Sequence, residues 1–199
     1  MLSLNMQYFA VKKGEEIPTI DVVMVTIQPN EGEDEIALTT ASKVGVSTQT
    51  STSDPKTLVV KGVLISQKPS ESTITGTTIV LTDNVFNPQL AVILQGGTIE
   101  YKSGSSGPIK KYQPPVAGSK DKGKPFRTNI YSAIYNAAGV LTGYEKASYP
   151  NCQGVPVAFN SEDDVFRVAE YTINSAPNTG EAPYTLEYID VAELPVVGE

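Results

Sequence analysis

The 199-residue chain contains no histidine, no tryptophan and a single cysteine. The missing histidines exclude Ser-His-Asp and Cys-His nucleophile systems, imidazole general bases and His-ligated zinc. Cys152 has no second cysteine for an intramolecular disulfide, so we interpret it as an ordinary small residue in a turn. Neither the dinucleotide-binding glycine motif nor the phosphate-loop motif occurs. We therefore expect no enzyme, and no catalytic, cofactor or metal site.

Long apolar segments are also missing. The longest run, Leu90–Leu94, is five residues, far short of the ~20 that span a bilayer. The opening residues lack the basic and apolar regions of a signal peptide, so we expect no membrane anchor. A chain of this length fits one domain of roughly 150 residues with additional arms. It can bury a core without a disulfide or a metal.

β-strand patterns dominate what is present. Runs rich in β-branched residues lie between turn formers, and Phe126–Asn136 alternates with the period of two typical of a half-buried strand. We interpret Gln67–Gly76 as a polar loop, and Ala37–Lys56 as a Ser- and Thr-rich loop with a weak strand pattern around Lys43–Ser47. Strands are predicted at Ile20–Ile27, Leu58–Ser66, Thr77–Thr82, Phe126–Asn136, Val140–Tyr149, Val165–Ile173 and Tyr184–Ile189. This recurrence predicts a mainly β fold of two packed antiparallel sheets, as a sandwich or a barrel.

One short α-helix is predicted beside these sheets. Asn87 is a favourable N-cap, and Pro88 fits the first helical position, where its missing N–H costs nothing. Gly96-Gly97 then ends the helix. The apolar residues at helical spacing predict an anchor to the sheet, formed by Leu90, Ile93 and Leu94.

Three segments are predicted as arms or loops: an N-terminal arm of about 1–18, a basic loop of about 103–125 and a C-terminal arm of about 190–199. The chain as a whole carries a net charge of −7. Residues 110–127 alone carry +5, which leaves −12 for the remainder. Because a negative field opposes association with DNA, we interpret the basic loop as docking on an acidic neighbouring surface.

The two acidic clusters are interpreted as surface turns rather than as binding or catalytic sites. Glu31–Glu35 lacks the spaced ligands of a calcium loop, so a solvated turn is the favoured interpretation. Glu162–Asp164 is either a pair of carboxylates for acid–base work or a polar turn before a strand, and the turn is favoured.

Several segments resemble bacteriophage major tail tube proteins. Thr75–Gly97 resembles their strand–helix unit, and Leu4–Ala10 is similar to the start of many phage virion proteins. The C-terminal half looks like the same family from phages of Gram-positive hosts, in the segments Tyr149–Cys152, Ser161–Phe166 and Glu170–Pro177.

The resemblance implies a structural virion protein of the phage tail, assembled in the host cytoplasm. Its copies would form stacked hexameric rings, a tube through which DNA passes without specific binding. Implied partners are a tail-tip or baseplate initiator, a tape measure protein, a terminator and, in contractile tails, a sheath. The alternatives are a capsid decoration or tail terminator protein and, less favoured because tryptophan is absent, a carbohydrate-binding module.

Within that interpretation, inter-subunit contacts are predicted from charge. The basic loop would dock through Lys110, Lys111, Lys120, Lys122 and Lys124. The acidic side chains predicted to receive it are Glu31, Asp34 and Glu162.

Overall fold

The computed structural model describes residues 16–29, 35–103, 107–119, 123–159, 163–164 and 167–197. Within these ranges lie one α-helix, α1 (Pro88–Gln95), and a turn of 3-10 helix at Val191–Glu193. The strands are β1 (Thr19–Pro29), β2 (Ile36–Leu38), β3 (Ala41–Thr52), β4 (Lys56–Val60), β5 (Val63–Lys68), β6 (Ser72–Asp83), β7 (Thr98–Tyr101), β8 (Ile109–Gln113), β9 (Phe126–Tyr135), β10 (Leu141–Gly154), β11 (Ala158–Phe159), β12 (Ala169–Ser175) and β13 (Thr185–Ile189). The predicted mainly β, antiparallel fold with one short helix is confirmed.

Nine strands form one antiparallel sheet that bends into two layers. Its order is β2-β1-β9-β10-β12-β6-β3, with β11 added to β12 and β13 added to β10. The bend lies in β10, where the register against β9 shifts between Tyr149 and Cys152 and Asn151 adopts a φ of 46°. Before the bend β10 pairs with β13, and after it with β12. A bulged strand that changes layers is a usual corner of packed sheets. Across the described residues the sheet does not close into a barrel.

The core lies between the two layers and under α1. Its residues come from both layers, with Ile27 and Phe126 from one and Ile79 and Ile173 from the other, all at most 1% exposed. Leu90 and Leu94 of α1 are buried to the same degree, and Ile93 is nearly so.

Both ends of α1 are fixed by specific contacts. The Asn87 side chain accepts hydrogen bonds from the backbone N–H groups of Gln89 and Leu90, at 2.9 and 3.2 Å. The Asn87 N–H in turn donates to the buried Tyr171 hydroxyl at 3.0 Å. At the other end Gly154 lies so close that an added Cβ would stand 2.5 Å from Leu94. The helix therefore needs a glycine beneath it.

The predicted half-buried strand at Phe126–Asn136 is wrong in one respect, because β9 is buried on both faces from Thr128 to Tyr131. The outward-facing Asn129 amide donates to Thr26 and Glu35, each at 3.2 Å, and accepts from Ser148 at 2.8 Å. Burying these polar groups costs little free energy, because they form hydrogen bonds with one another. The alternation of polar and apolar residues within one strand cannot predict such hydrogen bonds between neighbouring strands.

Three predicted boundaries also differ. Ala41–Thr52 and Ser72–Asp83 pair as a long ribbon, which contains the predicted strand Thr77–Thr82. Ser72–Gly76 and most of Ala41–Thr52 are strand rather than the predicted loops, because their hydroxyl and amide groups bond across the ribbon, as Thr52 does to Ser72 at 2.8 Å. The run Leu58–Ser66 is a hairpin rather than one strand. The basic loop contains β8, which pairs with β7. The predicted N-terminal arm lies mostly outside the described residues.

Candidate assembly surfaces

The two-stranded unit formed by β4 and β5, here called the tip hairpin (Lys56–Lys68), projects from the end of the ribbon. Its turn residues Lys61 and Gly62 have φ of 50° and 79°, as a two-residue hairpin turn with two positive φ angles requires. Among the described strands, β4 and β5 pair only with each other. Between Gly76, the last buried residue of β6 on this side, and the hairpin, the ribbon that carries the hairpin is exposed. Its two strands stay paired up to Ser53, whose N–H donates to the Glu71 carbonyl.

The tip hairpin exposes apolar side chains on both of its faces. The register places Leu58, Val60 and Val63 on one face, and Val59 and Leu64 on the other. A bulge adds Ile65 to β5. All six side chains are 49–60% exposed. Hairpins that lie on their own core are polar on the outer face, so this pattern indicates an element that is covered by another molecule.

Free sheet edges accompany the hairpin. Within the described part of the chain, the outer edge of β3 has no partner strand over its 12 residues. It contains one charged residue, Lys43, and no proline, so it lacks most of the features that protect edge strands. β13 adds a further edge that carries the exposed Leu186 and Tyr188.

A cleft of about 680 Å³, here called the slot, lies where β1 and β2 face α1 and β7. Most of its lining is apolar. Glu35 is the one charged residue among the described residues that line it, which are Thr26, Pro29, Glu35, Ile36, Ala37, Gln89, Val92, Ile93, Ile99, Pro195, Val196 and Val197. The last three show that the C-terminal segment borders the slot, and Val196 remains 95% exposed there.

The basic loop packs on its own chain. Gln95 donates to the Tyr112 hydroxyl at 2.7 Å, and this hydroxyl donates to the Gly96 carbonyl at 2.9 Å. An added Cβ at Gly123 would stand 2.1 Å from the Ile93 carbonyl. The basic segment is therefore seated against the end of α1 at two places.

The predicted contact lysines have the following positions. Lys110 forms an ion pair with Glu100 at 2.5 Å, and Lys111 donates to Gln113 at 2.8 Å. Lys124 is exposed. Their predicted role between subunits stays a prediction. The other predicted contact residues lie outside the described residues, namely Lys120, Lys122, Glu31, Asp34 and Glu162.

Cys152 lies in β10 and not in a turn, and it is fully buried. Burial raises the pKa of its thiol, although hydrogen bonding from Thr128 opposes this. Within the described ranges no group of three or more Cys, Asp or Glu side chains is placed to hold a metal ion. No helix in those ranges is long and apolar enough to cross a membrane.

Sequence reasoning missed the tip hairpin as a surface. The signal was present, because Lys61-Gly62 interrupts an apolar run that is flanked on both sides by Ser- and Thr-rich sequence. A Lys-Gly turn in the middle of such a run predicts two short strands, and the polar flanks leave the apolar tip without a core to join.

Comparison with known proteins gives similarities of shape only. No protein-family model matches the chain, and no curated protein matches it significantly. The anti-feeding prophage cap (AFP tube terminating cap) aligns with 94% of this chain and 99% of its own, at 11% identity and a TM-score of 0.41. The PVC sheath/tube terminator of an extracellular contractile injection system aligns with 87% of this chain and 99% of its own, at 16% identity and a TM-score of 0.39. The PVC sheath-tube complex aligns with 85% of this chain and 92% of its own, at 16% identity and a TM-score of 0.37. TM-scores of this size carry no inference about function.

Proposed function

We propose that the chain is a structural protein that assembles with copies of itself in a phage-tail-like tube, and that it has no catalytic role. The tip hairpin is the observation that carries this proposal. Six apolar side chains on a projecting hairpin, exposed on both faces, have no use in an isolated monomer and are an aggregation hazard there. In an assembly, a neighbouring subunit would cover these six side chains.

The free edges support the same proposal. A 12-residue edge strand with one charge pairs readily with another strand, and a ring of identical subunits satisfies each edge with a neighbour. Such a head-to-tail contact closes into a ring, or continues as an open filament when rings repeat it along an axis.

This assembly could take two forms, and in both the chain would be a structural component of a tail. The sequence resemblance to major tail tube proteins favours stacked hexameric rings that form a conduit for DNA. A single ring that ends a tube is the alternative, and proteins described as a tube terminating cap and a sheath/tube terminator are among those of similar shape. A Gram-positive host, a tail-tip initiator, a tape measure protein and a sheath partner belong to the same proposal.

The experiment is negative-stain electron microscopy of the purified full chain, with light scattering over a concentration series. Hollow filaments of uniform width support the tube, and discrete single rings support the terminator. Monomers at every concentration up to the solubility limit, with or without added tube ends, would contradict self-assembly.

A further inference from the structure

We propose that the slot receives the tip hairpin of a neighbouring copy of this chain, an inference that rests on the self-assembly proposed above. The first reason is the distribution of apolar surface on the hairpin. A hairpin with one apolar face can lie on a flat surface, whereas the tip hairpin has two apolar faces and a bulged Ile65. Only an insertion site with apolar walls on both sides covers all of them.

The slot has such walls. Ile36 and Ala37 of β2 contribute to one side, and Val92 and Ile93 of α1 contribute to the other. The hairpin cannot reach this site in its own chain, because β2 adjoins the first residue of β3, Ala41, whereas the hairpin follows the last, Thr52. A strand of that length holds its two ends about 36 Å apart. The occupant must then come from another molecule.

Charge identifies that molecule as a second copy. The tip hairpin carries Lys56, Lys61 and Lys68 and no acidic residue, so its net charge is +3 in a chain of −7. Glu35, the charged residue of the slot lining, is acidic and ends the run Glu31–Glu35 in the sequence. Apolar contact between a basic hairpin and a slot that contains the acidic Glu35 is complementary in charge, which favours one orientation of docking.

Backbone groups add to the fit. β2 is the end strand of the sheet and borders the slot, and in the described residues its outer edge has no partner. The outer edges of β4 and β5 are likewise unpaired. Addition of a hairpin strand to β2 would satisfy both sets of groups, as in β-strand addition generally.

Site-directed disulfide trapping between full-length chains tests the proposal. V60C and V59C place a thiol on either face of the tip, and A37C and V92C place one on either side of the slot. V116C supplies a control thiol on a side chain that is 76% exposed and does not line the slot. The native Cys152 stays in place, because it is fully buried.

Each tip variant is mixed with each slot variant under mild oxidation, and disulfide dimers are measured on non-reducing gels. We expect tip–slot dimers to form about tenfold more than tip–V116C dimers, because docking raises the local concentration of the two thiols. V60C and V59C should prefer opposite slot variants, since their side chains lie on opposite faces of the hairpin.

Two failures are distinguishable. If light scattering shows normal assembly but tip–slot dimers do not exceed the V116C control, the slot is not the receiving site and the self-assembly proposal stands. If neither the parent chain nor any variant assembles, self-assembly itself fails, and this proposal fails with it.

Discussion

Removing apolar surface from the tip hairpin should weaken assembly without affecting the monomer. The variant V59T/V60T/V63T keeps β-branched side chains, and so keeps the tendency to form strands, while replacing one methyl group at each position by a hydroxyl. The three valines are 49–60% exposed in the isolated chain. Burying a whole Val side chain contributes about 1.5–3 kcal/mol, so covering the exposed half contributes about 1 kcal/mol each.

Each threonine keeps one methyl group, so it loses about 0.5 kcal/mol of that contribution, and burying its hydroxyl without a hydrogen-bond partner costs about 0.5 kcal/mol or more. The expected loss is then about 3 kcal/mol per docked hairpin, which corresponds to a roughly hundredfold higher concentration for half-assembly. Light scattering over a dilution series measures that concentration. The matched control is V85T/V116T/V140T, whose valines are 57–76% exposed but lie outside the hairpin. Neither variant touches the core, so the urea midpoint of the monomer should not move. Equal assembly of the two variants would refute the role given to the hairpin.

The remaining predictions concern the monomer and the basic segment. G154A should lose about 1–3 kcal/mol by urea denaturation, because the new Cβ overpacks the base of α1, whereas G45A, whose Cβ meets nothing closer than 3.9 Å, should be near neutral; equal losses would contradict the packing of α1. Stability should fall above pH 9, because burial raises the thiol pKa of Cys152 in the folded state above its ordinary 9.0. The unfolded state then loses its proton first, at about 1.4 kcal/mol per pH unit until the folded pKa is reached; C152A should remove that loss, and an unchanged pH slope in C152A would assign it to the tyrosines instead. If the basic loop docks on a neighbouring subunit, K110S/K111S should weaken assembly and leave the urea midpoint unchanged. Unaltered assembly would refute the docking role of these two lysines.

Local chemistry made the helix predictable. Its N-cap, first-turn proline, apolar spacing and terminal glycines all act within ten residues, so they are readable without the fold. The hairpin Phe126–Tyr149 was predictable for the same reason, because an Asn-Ala-Ala-Gly turn joins two β-rich runs.

What could not be predicted depends on contacts between distant residues. The strand Ala41–Thr52 was interpreted mostly as a loop because its Ser, Thr and Gln residues have weak apolar patterning, and only pairing with β6 shows why they form a strand. The slot combines β2, α1 and the C-terminal segment, which lie far apart in sequence. Charge counting along the sequence could not predict that Lys110 has an acidic partner, Glu100, in its own chain.

The lysines of the tip hairpin explain how such an apolar element is tolerated before assembly. Short apolar strands without charge pair with one another and aggregate, and flanking charges prevent this. Lys61 lies in the turn, and Lys56 and Lys68 lie opposite each other at the base of the two strands, where Lys68 also has Glu71 at 3.7 Å. Two hairpins that approach each other side by side therefore bring like charges together at both ends. Approach to an acidic surface of another copy meets attraction instead. The same three residues therefore oppose the disordered contact and favour the ordered one, which is the selectivity that a self-assembling subunit requires.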